Sequence, residues 1–454
     1  MEIEKKFVDF VLDTKFNGLP KKPVDMVKTI MLTQLGNIFA GATVEPSLKV
    51  VNQVRYWGGK EEATILVHGD KVPAYNAVLA NSTMARALDF DDAIIPGLHM
   101  GSVSIPTGLA VAEIVGGCSG KEFLTCLVTG IEMANRLNLI NVTAFYQGFK
   151  GTGVCTIFTA TAIAGRMLGL NSTQMFNAFG FALNRAGGSQ QSNIDGAQAV
   201  SLVPGFASQN GIFCAQLAQR GITGPKNFLE GPFGWFKLYG RGKLDPQAIG
   251  GELGSRFELI NTIFKKYPSC GLCQTSTEGI LDLVRDQGVT PDTVLSIDIK
   301  VGPFAHNLLG HFEIGESPRV NAQFSIPYCV ASALLRKSSE IPHFEESYIR
   351  DPQIINIIKK INMIADPVVE KRAQGAMEME VKTKQGGVHR KRIDIPYGFP
   401  GKDLTREEHI ANFQQCVSYG SRPLAQKNAD KIVSMIEKLE EVEDVRDFIP
   451  LMTR

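Results

Sequence analysis

Val294-Leu295-Ser296-Ile297-Asp298-Ile299-Lys300-Val301 is the stretch on which the fold turns. Leu295, Ile297, Ile299 and Val301 alternate with Val294, Ser296, Asp298 and Lys300, a period of two that predicts a strand. Nothing before it reads that way. From Pro23, the residues Val24, Val27, Ile30, Met31, Leu35 and Ile38 recur at three- and four-residue steps, which places one apolar face on a helix. Helical patterns dominate to about residue 260. Ser119 with Glu122 predicts a capped helix through Met133, and Asn171 with Gln174 opens another towards Leu183. Gly and Ala crowd the stretch from Ala160 to Gly169, which lets helix backbones approach closely.

The change comes at Tyr267-Pro268-Ser269. Beyond it, Met377, Met379 and Val381 alternate with charged residues before a Gly386-Gly387 turn, a hairpin pattern, and helices are expected from about Ser325 to Leu335 and from Pro352 to Ile361. Arg406 to Leu439 returns to helical periodicity. The expected fold is therefore mainly α: a large helical domain built from residues 1–267 and 396–454, with a smaller α+β domain, residues 268–395, inserted into it.

The totals bound what such a chain does. At 454 residues it exceeds one ordinary core, and 47 Lys and Arg against 46 Asp and Glu leave no whole-protein field to attract nucleic acid or an anionic membrane. The start, Met1-Glu2-Ile3-Glu4-Lys5-Lys6, lacks the pattern of a signal peptide, and no uncharged apolar run has spanning length, so a cytoplasmic protein is expected. Six of the eight cysteines sit in apolar surroundings, as in a reducing compartment. Cys270 and Cys273 form a lone Cys-x-x-Cys without the second pair of a zinc site, so no metal is expected there.

Three segments carry chemistry. In Ala87-Leu88-Asp89-Phe90-Asp91-Asp92, three carboxylates within four residues repel one another unless cations or donors hold them. His99 follows in a Gly- and Pro-bounded loop before a helix expected to start near Pro106. Its ordinary pKa suits proton transfer, and a helix N-terminus beside it favours an anion. The second segment, Tyr146-Gln147-Gly148-Phe149-Lys150-Gly151, sets a lysine near a tyrosine in a stretch whose glycines favour a loop, and a neighbouring ammonium makes a tyrosine a better proton carrier. The third is Lys265-Lys266-Tyr267-Pro268-Ser269-Cys270, at the expected domain junction, where Lys265 is expected to turn inward and hold a carboxylate. No Gly-x-Gly-x-x-Gly after a strand, no phosphate loop and no Gly-x-Ser-x-Gly elbow is present, so nucleotide use and serine acyl transfer lack support.

Leu88-Asp89-Phe90-Asp91-Asp92, His99 and Gly101-Ser102-Val103 resemble the Asp-Phe-Asp-Asp and His-Pro-Gly-Ser-Val signature of the MmgE/PrpD family. Gly165 to Leu170, Gly221 to Pro225 with Glu230-Gly231, Tyr267 to Cys270 and Ala322 to Tyr328 extend the resemblance in family order across nearly the whole chain. It implies a helical domain interrupted by an α+β lid, a homodimer, and chemistry without cofactors on a small polycarboxylate. The activities of the family include dehydration of 2-methylcitrate, decarboxylation of cis-aconitate and epimerisation of iminodisuccinate. It also implies active-site roles for Asp89, His99, Lys265 and Tyr328. The chain departs from the dehydratase and decarboxylase pattern at Ala93 (threonine there), Lys150 (histidine) and Val200 (lysine).

A proton next to a carboxylate is too weakly acidic for an unaided side chain, so the developing enediolate needs cations and a base within reach. Lys265 and Arg185 are candidates for the charge, and His99, Lys150 and Tyr146 for the proton. Bases on both faces give epimerisation, and an acid at a β-leaving group gives elimination. The altered polar set tilts the sequence reading to an epimerase, with a dehydratase or decarboxylase lyase as the alternative and a carboxylate-binding protein without activity as a third. An isoprenoid-synthase reading of the aspartates fails for want of a second acidic cluster.

Overall fold

The computed structural model describes residues 2–242, 245–420 and 423–453. Long helices build the larger part: Lys21–Gly41, Ala74–Arg86, Gly101–Ile114, Gly120–Asn138, Gly151–Met167, Ser172–Arg185 and Val203–Gln219, joined late in the chain by Arg406–Ser418 and Gln426–Glu437. Their shared core runs from Ile3, Phe7 and Val27 through Phe158 and Phe228 to Phe413, Ile432 and Phe448. The C-terminal helices thus complete the core that the first two hundred residues begin.

Local signals account for the helix ends. The Ser119 hydroxyl accepts the Glu122 N–H at 3.3 Å, and Asn171 and Gln174 make a reciprocal box at 2.9 and 3.0 Å. Small residues set the packing distance: a Cβ on Gly211 of the Val203–Gln219 helix would collide with Ala160 of the Gly151–Met167 helix.

A second core gathers Ile280, Ile297, Ile299, Val301, Tyr328 and Val381. It lies against a four-stranded sheet. After the short pair β1 (Ala63–Thr64) and β2 (Lys71–Val72), the sheet strands are β3 (Val294–Val301), β4 (Ile361–Ala365), β5 (Met377–Thr383) and β6 (Val388–Ile393), in the order β4-β3-β5-β6. β3 runs parallel to β4 and antiparallel to β5, and β5–β6 is the hairpin expected around Gly386.

Three details differ from the sequence reading. Leu295 is exposed while Val294 is buried, because a bulge between Val294 and Ser296 shifts the alternation by one residue. The helix from Pro352 ends at Ile358, and Ile361 opens β4 instead, since its pairing with Ile297 overrides the local pattern. The helix after His99 begins at Gly101, so Pro106 lies inside it, where every residue through Ala112 is buried and tertiary packing outweighs the lost hydrogen bond. Among the described residues, no helix is long and apolar enough to cross a membrane.

Candidate active site

The site is assembled where chain segments cross between the two cores. Ala93 and Ile263 exchange backbone hydrogen bonds at 3.1 and 2.7 Å, an isolated antiparallel bridge, and Phe264 N–H donates to Gly398 O at 2.7 Å. This bridge sets Lys265 beside the aspartate block. Ile94 and Leu98 close a small loop on themselves at 2.8 and 3.0 Å, and His99 follows it.

The aspartates are held, not solvated. Lys265 Nζ donates to Asp89 Oδ1 at 2.7 Å, to Asp89 O at 2.9 Å and to Asp91 Oδ1 at 3.2 Å. Arg86, at the end of the Ala74–Arg86 helix, donates to Asp89 and, at 3.3 Å, to Asp91. Two cations and two carboxylates thus form a closed, buried network. Burial alone raises both carboxyls; Arg86 and Lys265, helped at Asp91 by His99, more than reverse it and hold them below the usual carboxylate range. Asp89 adopts a left-handed backbone (φ 49°), which aspartate tolerates better than most residues. Its Oδ2 is buried without a hydrogen-bond partner among the described residues.

Asp92 behaves differently. Burial, and then the charge of Asp91, push its carboxyl up to about 7, while Gln34 Nε2 donates to it at 2.5 Å and Gly101 N–H at 3.0 Å. It anchors the N-terminus of the Gly101–Ile114 helix.

His99 Nδ1 lies 2.9 Å from Asp91 Oδ2 and 3.2 Å from Asp92 O, two acceptors that assign the ring proton to Nδ1. Nε2 keeps its lone pair, with Arg86 Nη2 at 3.5 Å. Burial, then the Arg86 charge, lower the imidazole to about 4, so it is neutral at physiological pH. The His99 backbone N–H donates to Thr152 Oγ1 at 3.2 Å, which ties it to the helix that Lys150 caps.

Lys150 is buried, and its Nζ donates to Asn193 Oδ1 at 2.9 Å. No acidic side chain lies within ion-pair distance of it among the described residues. Burial, with Arg86 adding to it, pushes this ammonium down to about 8. The segment carrying Asn193 is fixed by Lys150 N–H to Gly188 O at 3.0 Å and Gln190 N–H to Gly148 O at 2.8 Å.

Arg86, Asp89, His99, Lys150 and Lys265 all border one cavity. Tyr146 stands beside it, half exposed, packed on Phe304 and accepting a 3.3 Å bond from Gln374, which does border the cavity. Tyr328 and Arg185 are placed elsewhere. The Tyr328 hydroxyl donates to the His343 carbonyl inside the second core, with Phe312 and Phe344 around the ring, and burial raises its pKa. Arg185 points to Asn210 on an exposed helix face, at 2.7 and 3.0 Å. Val200 is packed in the second core. The two lysines at the junction part company: Lys265 turns in, whereas Lys266 lies over the Tyr397 ring at 4.7 Å and near Glu408 at 3.5 Å.

The sequence reading passed over Arg86 and Asn193. Arg86 carries a usable signal, a basic residue three positions before Asp89 in an otherwise apolar and small stretch. Asn193 carries none, since nothing local marks it. Cys270 borders the cavity with its thiol pushed up to about 11 by burial, and both it and Cys273 pack against the second core. No three His, Cys, Asp or Glu side chains are grouped to hold a metal among the described residues.

Residues 5–247 match the MmgE/PrpD N-terminal domain and residues 267–440 the MmgE/PrpD C-terminal domain. The chain is 24% identical to cis-aconitate decarboxylase of Mus musculus over 97% of its length and 91% of the relative's. It is 25% identical to that of Homo sapiens (97% and 92%) and 23% identical to that of Aspergillus terreus (76% and 74%). The two domain matches together span most of the sequence, and the chain belongs to the MmgE/PrpD family.

Proposed function

We propose that the protein is a lyase that acts on a small carboxylic acid with at least two carboxylate groups, with His99 and Lys150 handling the proton and no cofactor taking part. The observation that carries this reading is Lys150, a buried ammonium in the cavity with an amide as partner and no acid. A buried cation without a counter-ion calls for an anionic ligand.

In this reading one substrate carboxylate takes the place beside Lys150 and within reach of Arg86. Loss of CO₂, or removal of the proton next to a carboxylate, leaves an electron pair on carbon that spreads into the retained carboxylate as an enediolate; in the second case the pair then forms the alkene as the β-leaving group departs with its own bonding electrons. The Lys150 ammonium stabilises that charge where it develops. His99 Nε2 is the base, because its Nδ1 proton is committed to Asp91 and the Asp92 carbonyl. After decarboxylation the carbanion takes a proton from the Lys150 ammonium, and solvent restores it. Lys265 acts on Asp89 and Asp91 rather than on substrate, and Tyr146 remains a candidate for passing protons at the rim.

The relatives are named for a lyase activity, which moves the reading away from the epimerisation that Ala93 and Lys150 suggested. Incubation with a panel of di- and tricarboxylates in deuterated water, followed by proton NMR and CO₂ trapping, separates the outcomes. A lyase releases CO₂ or water and forms a new carbon skeleton or alkene. Deuterium entering substrate of unchanged formula would establish epimerisation instead, and binding without turnover would leave a carboxylate-binding protein. The homodimer implied by the family resemblance belongs to the same proposal, and light scattering tests it.

A further inference from the structure

The cavity has a charge inventory that constrains its ligand. Arg86 and Lys265 each contact both Asp89 and Asp91, so two positive charges meet two negative ones. His99 is neutral. Lys150 is then the one bordering cation without an acidic partner among the described residues, and a tricarboxylate would bring three negative charges against it. Desolvating the surplus carboxylates without ion partners is unfavourable.

Part of the cavity lining is apolar. Ala93, Ile263 and Phe399 form a small hydrophobic cluster separate from the large helical core and the sheet core, and all three border the cavity. They are brought together by the Ala93–Ile263 bridge and by the 398–402 turn that meets Phe264. Gly271 lies beside them; a Cβ there would stand 3.7 Å from Ile263 and 4.0 Å from Phe399, ordinary contact distances, so the wall has room at its edge. Such a surface offers nothing to a carboxylate and favours a hydrocarbon group.

From this division we infer that the substrate is an alkyl-substituted dicarboxylate, whose two carboxylates lie at the Lys150 end while an alkyl group occupies the Ala93–Ile263–Phe399 wall where a tricarboxylate would carry its third carboxylate. The inference rests on the lyase reading for the placement of the carboxylates, and it assigns Ala93, Ile263 and Phe399 to substrate selection.

The test uses two unreactive, matched probes with the full-length protein: 2-propylsuccinate and propane-1,2,3-tricarboxylate, which share a succinate core and differ in the third arm. Calorimetric titration is expected to show 2-propylsuccinate binding at least tenfold more tightly, with affinity rising about fourfold per methylene along methyl-, ethyl- and propylsuccinate. Ala93→Thr, which adds a hydroxyl to the wall, is expected to shrink that preference. Phe399→Leu, which widens the pocket, is expected to move the optimum to a longer chain. Equal or tighter binding of the tricarboxylate, abolished by Lys150→Ala, would overturn the alkyl assignment and leave the lyase reading standing. Failure of every probe to bind, or binding indifferent to Lys150→Ala, would overturn both.

Discussion

Asp91 and Lys265 stand opposite each other across the antiparallel bridge that joins Ala93 to Ile263, and the Lys265 Nζ donates to Asp91 Oδ1 at 3.2 Å. Asp91 is two residues before its end of the bridge and Lys265 two after the other, so the register of one backbone contact decides which side chains meet. The same ammonium reaches Asp89 at 2.7 Å. Because Lys265 is fully engaged in this way, its role is to keep two buried carboxylates ionised, and through Asp91 to hold the His99 ring.

Removal of Lys265 should therefore register first as lost stability. Lys265→Met leaves Asp89 and Asp91 with Arg86 alone, and stranding buried charge in this way costs about 3 to 5 kcal/mol. Urea unfolding at neutral pH measures it. The sign with pH follows from the depressed carboxyls: their favourable contribution is present above the unfolded carboxyl range and is lost as pH falls. The gap between wild type and variant should accordingly narrow in acid, and a constant gap would show that Lys265 acts by packing alone.

Activity should follow a bell. His99 must be neutral to act as base and charges only as pH falls through about 4, whereas Lys150 must be charged to hold a carboxylate and loses its proton above about 8. The profile of kcat/KM for the free enzyme should fall on both sides of that window. Lys150→Arg should abolish the alkaline limb, because a guanidinium does not titrate below a pH of about 12. An unchanged alkaline limb would assign it to another group.

Turnover should survive an excess of EDTA followed by gel filtration. In the proposed lyase reading the electron sink is a substrate carboxylate beside Lys150, and no group of three His, Cys, Asp or Glu side chains that could hold a metal stands among the described residues. Activity lost on chelation and restored by one divalent ion would replace that sink with a Lewis acid.

Gly153 tests how far the Lys150 turn is fixed. A Cβ at Gly153 would run into the carbonyl of Gly187, next to the Gly188 carbonyl that receives the Lys150 N–H. The obstacle is backbone, so the helix and the loop carrying Gly187 must part. Gly153→Ala should lose about 1 to 3 kcal/mol of stability and, by shifting Lys150 against Asn193, roughly a hundredfold in kcat/KM. A variant of full activity would mean that the 187–193 segment follows the helix without loss.

Most of the architecture was legible because its signals are local. Apolar spacing from Val24 to Ile38, the Asn171–Gln174 box and the Met377–Val381 alternation each depend on residues close in the chain, and each appears where those residues lie. What escaped depends on distant partners. Ile361 is a strand residue because Ile297 is beside it, and Leu295 turns outward because of a bulge against β5. The site divides in the same way. Asp89, His99, Lys150 and Lys265 announce themselves as titratable groups in unusual settings, whereas the role of Asn193 and the closure of the Arg86 network arise only once Lys150 and Asn193, 43 positions apart, and Asp89 and Lys265, 176 apart, are brought together. Tyr328 illustrates the converse: its neighbours in sequence fit the family pattern, yet its hydroxyl is committed to the His343 carbonyl.

His99 is the residue whose replacement discriminates best between proton transfer and binding. Its Nδ1 is fixed by Asp91 and the Asp92 carbonyl, the residue borders the cavity, and its Nε2 has a long contact to Arg86. A neutral imidazole so oriented takes a proton readily and, once charged, stands 2.9 Å from a carboxylate that stabilises it. His99→Gln keeps a side chain of similar reach that can still bond Asp91 but cannot carry a proton. The expected result is a fall in kcat of about a hundredfold to ten-thousandfold, roughly 3 to 5 kcal/mol of transition-state stabilisation, with KM changed little and thermal unfolding close to that of wild type. Steady-state kinetics on the substrate identified by the carboxylate panel measures both constants. If KM rises instead while kcat holds, His99 is a binding contact shared by ground and transition states. If neither constant moves by more than about threefold, the proton is carried by Lys150 or by Tyr146 at the rim, and Lys150→Arg becomes the deciding variant.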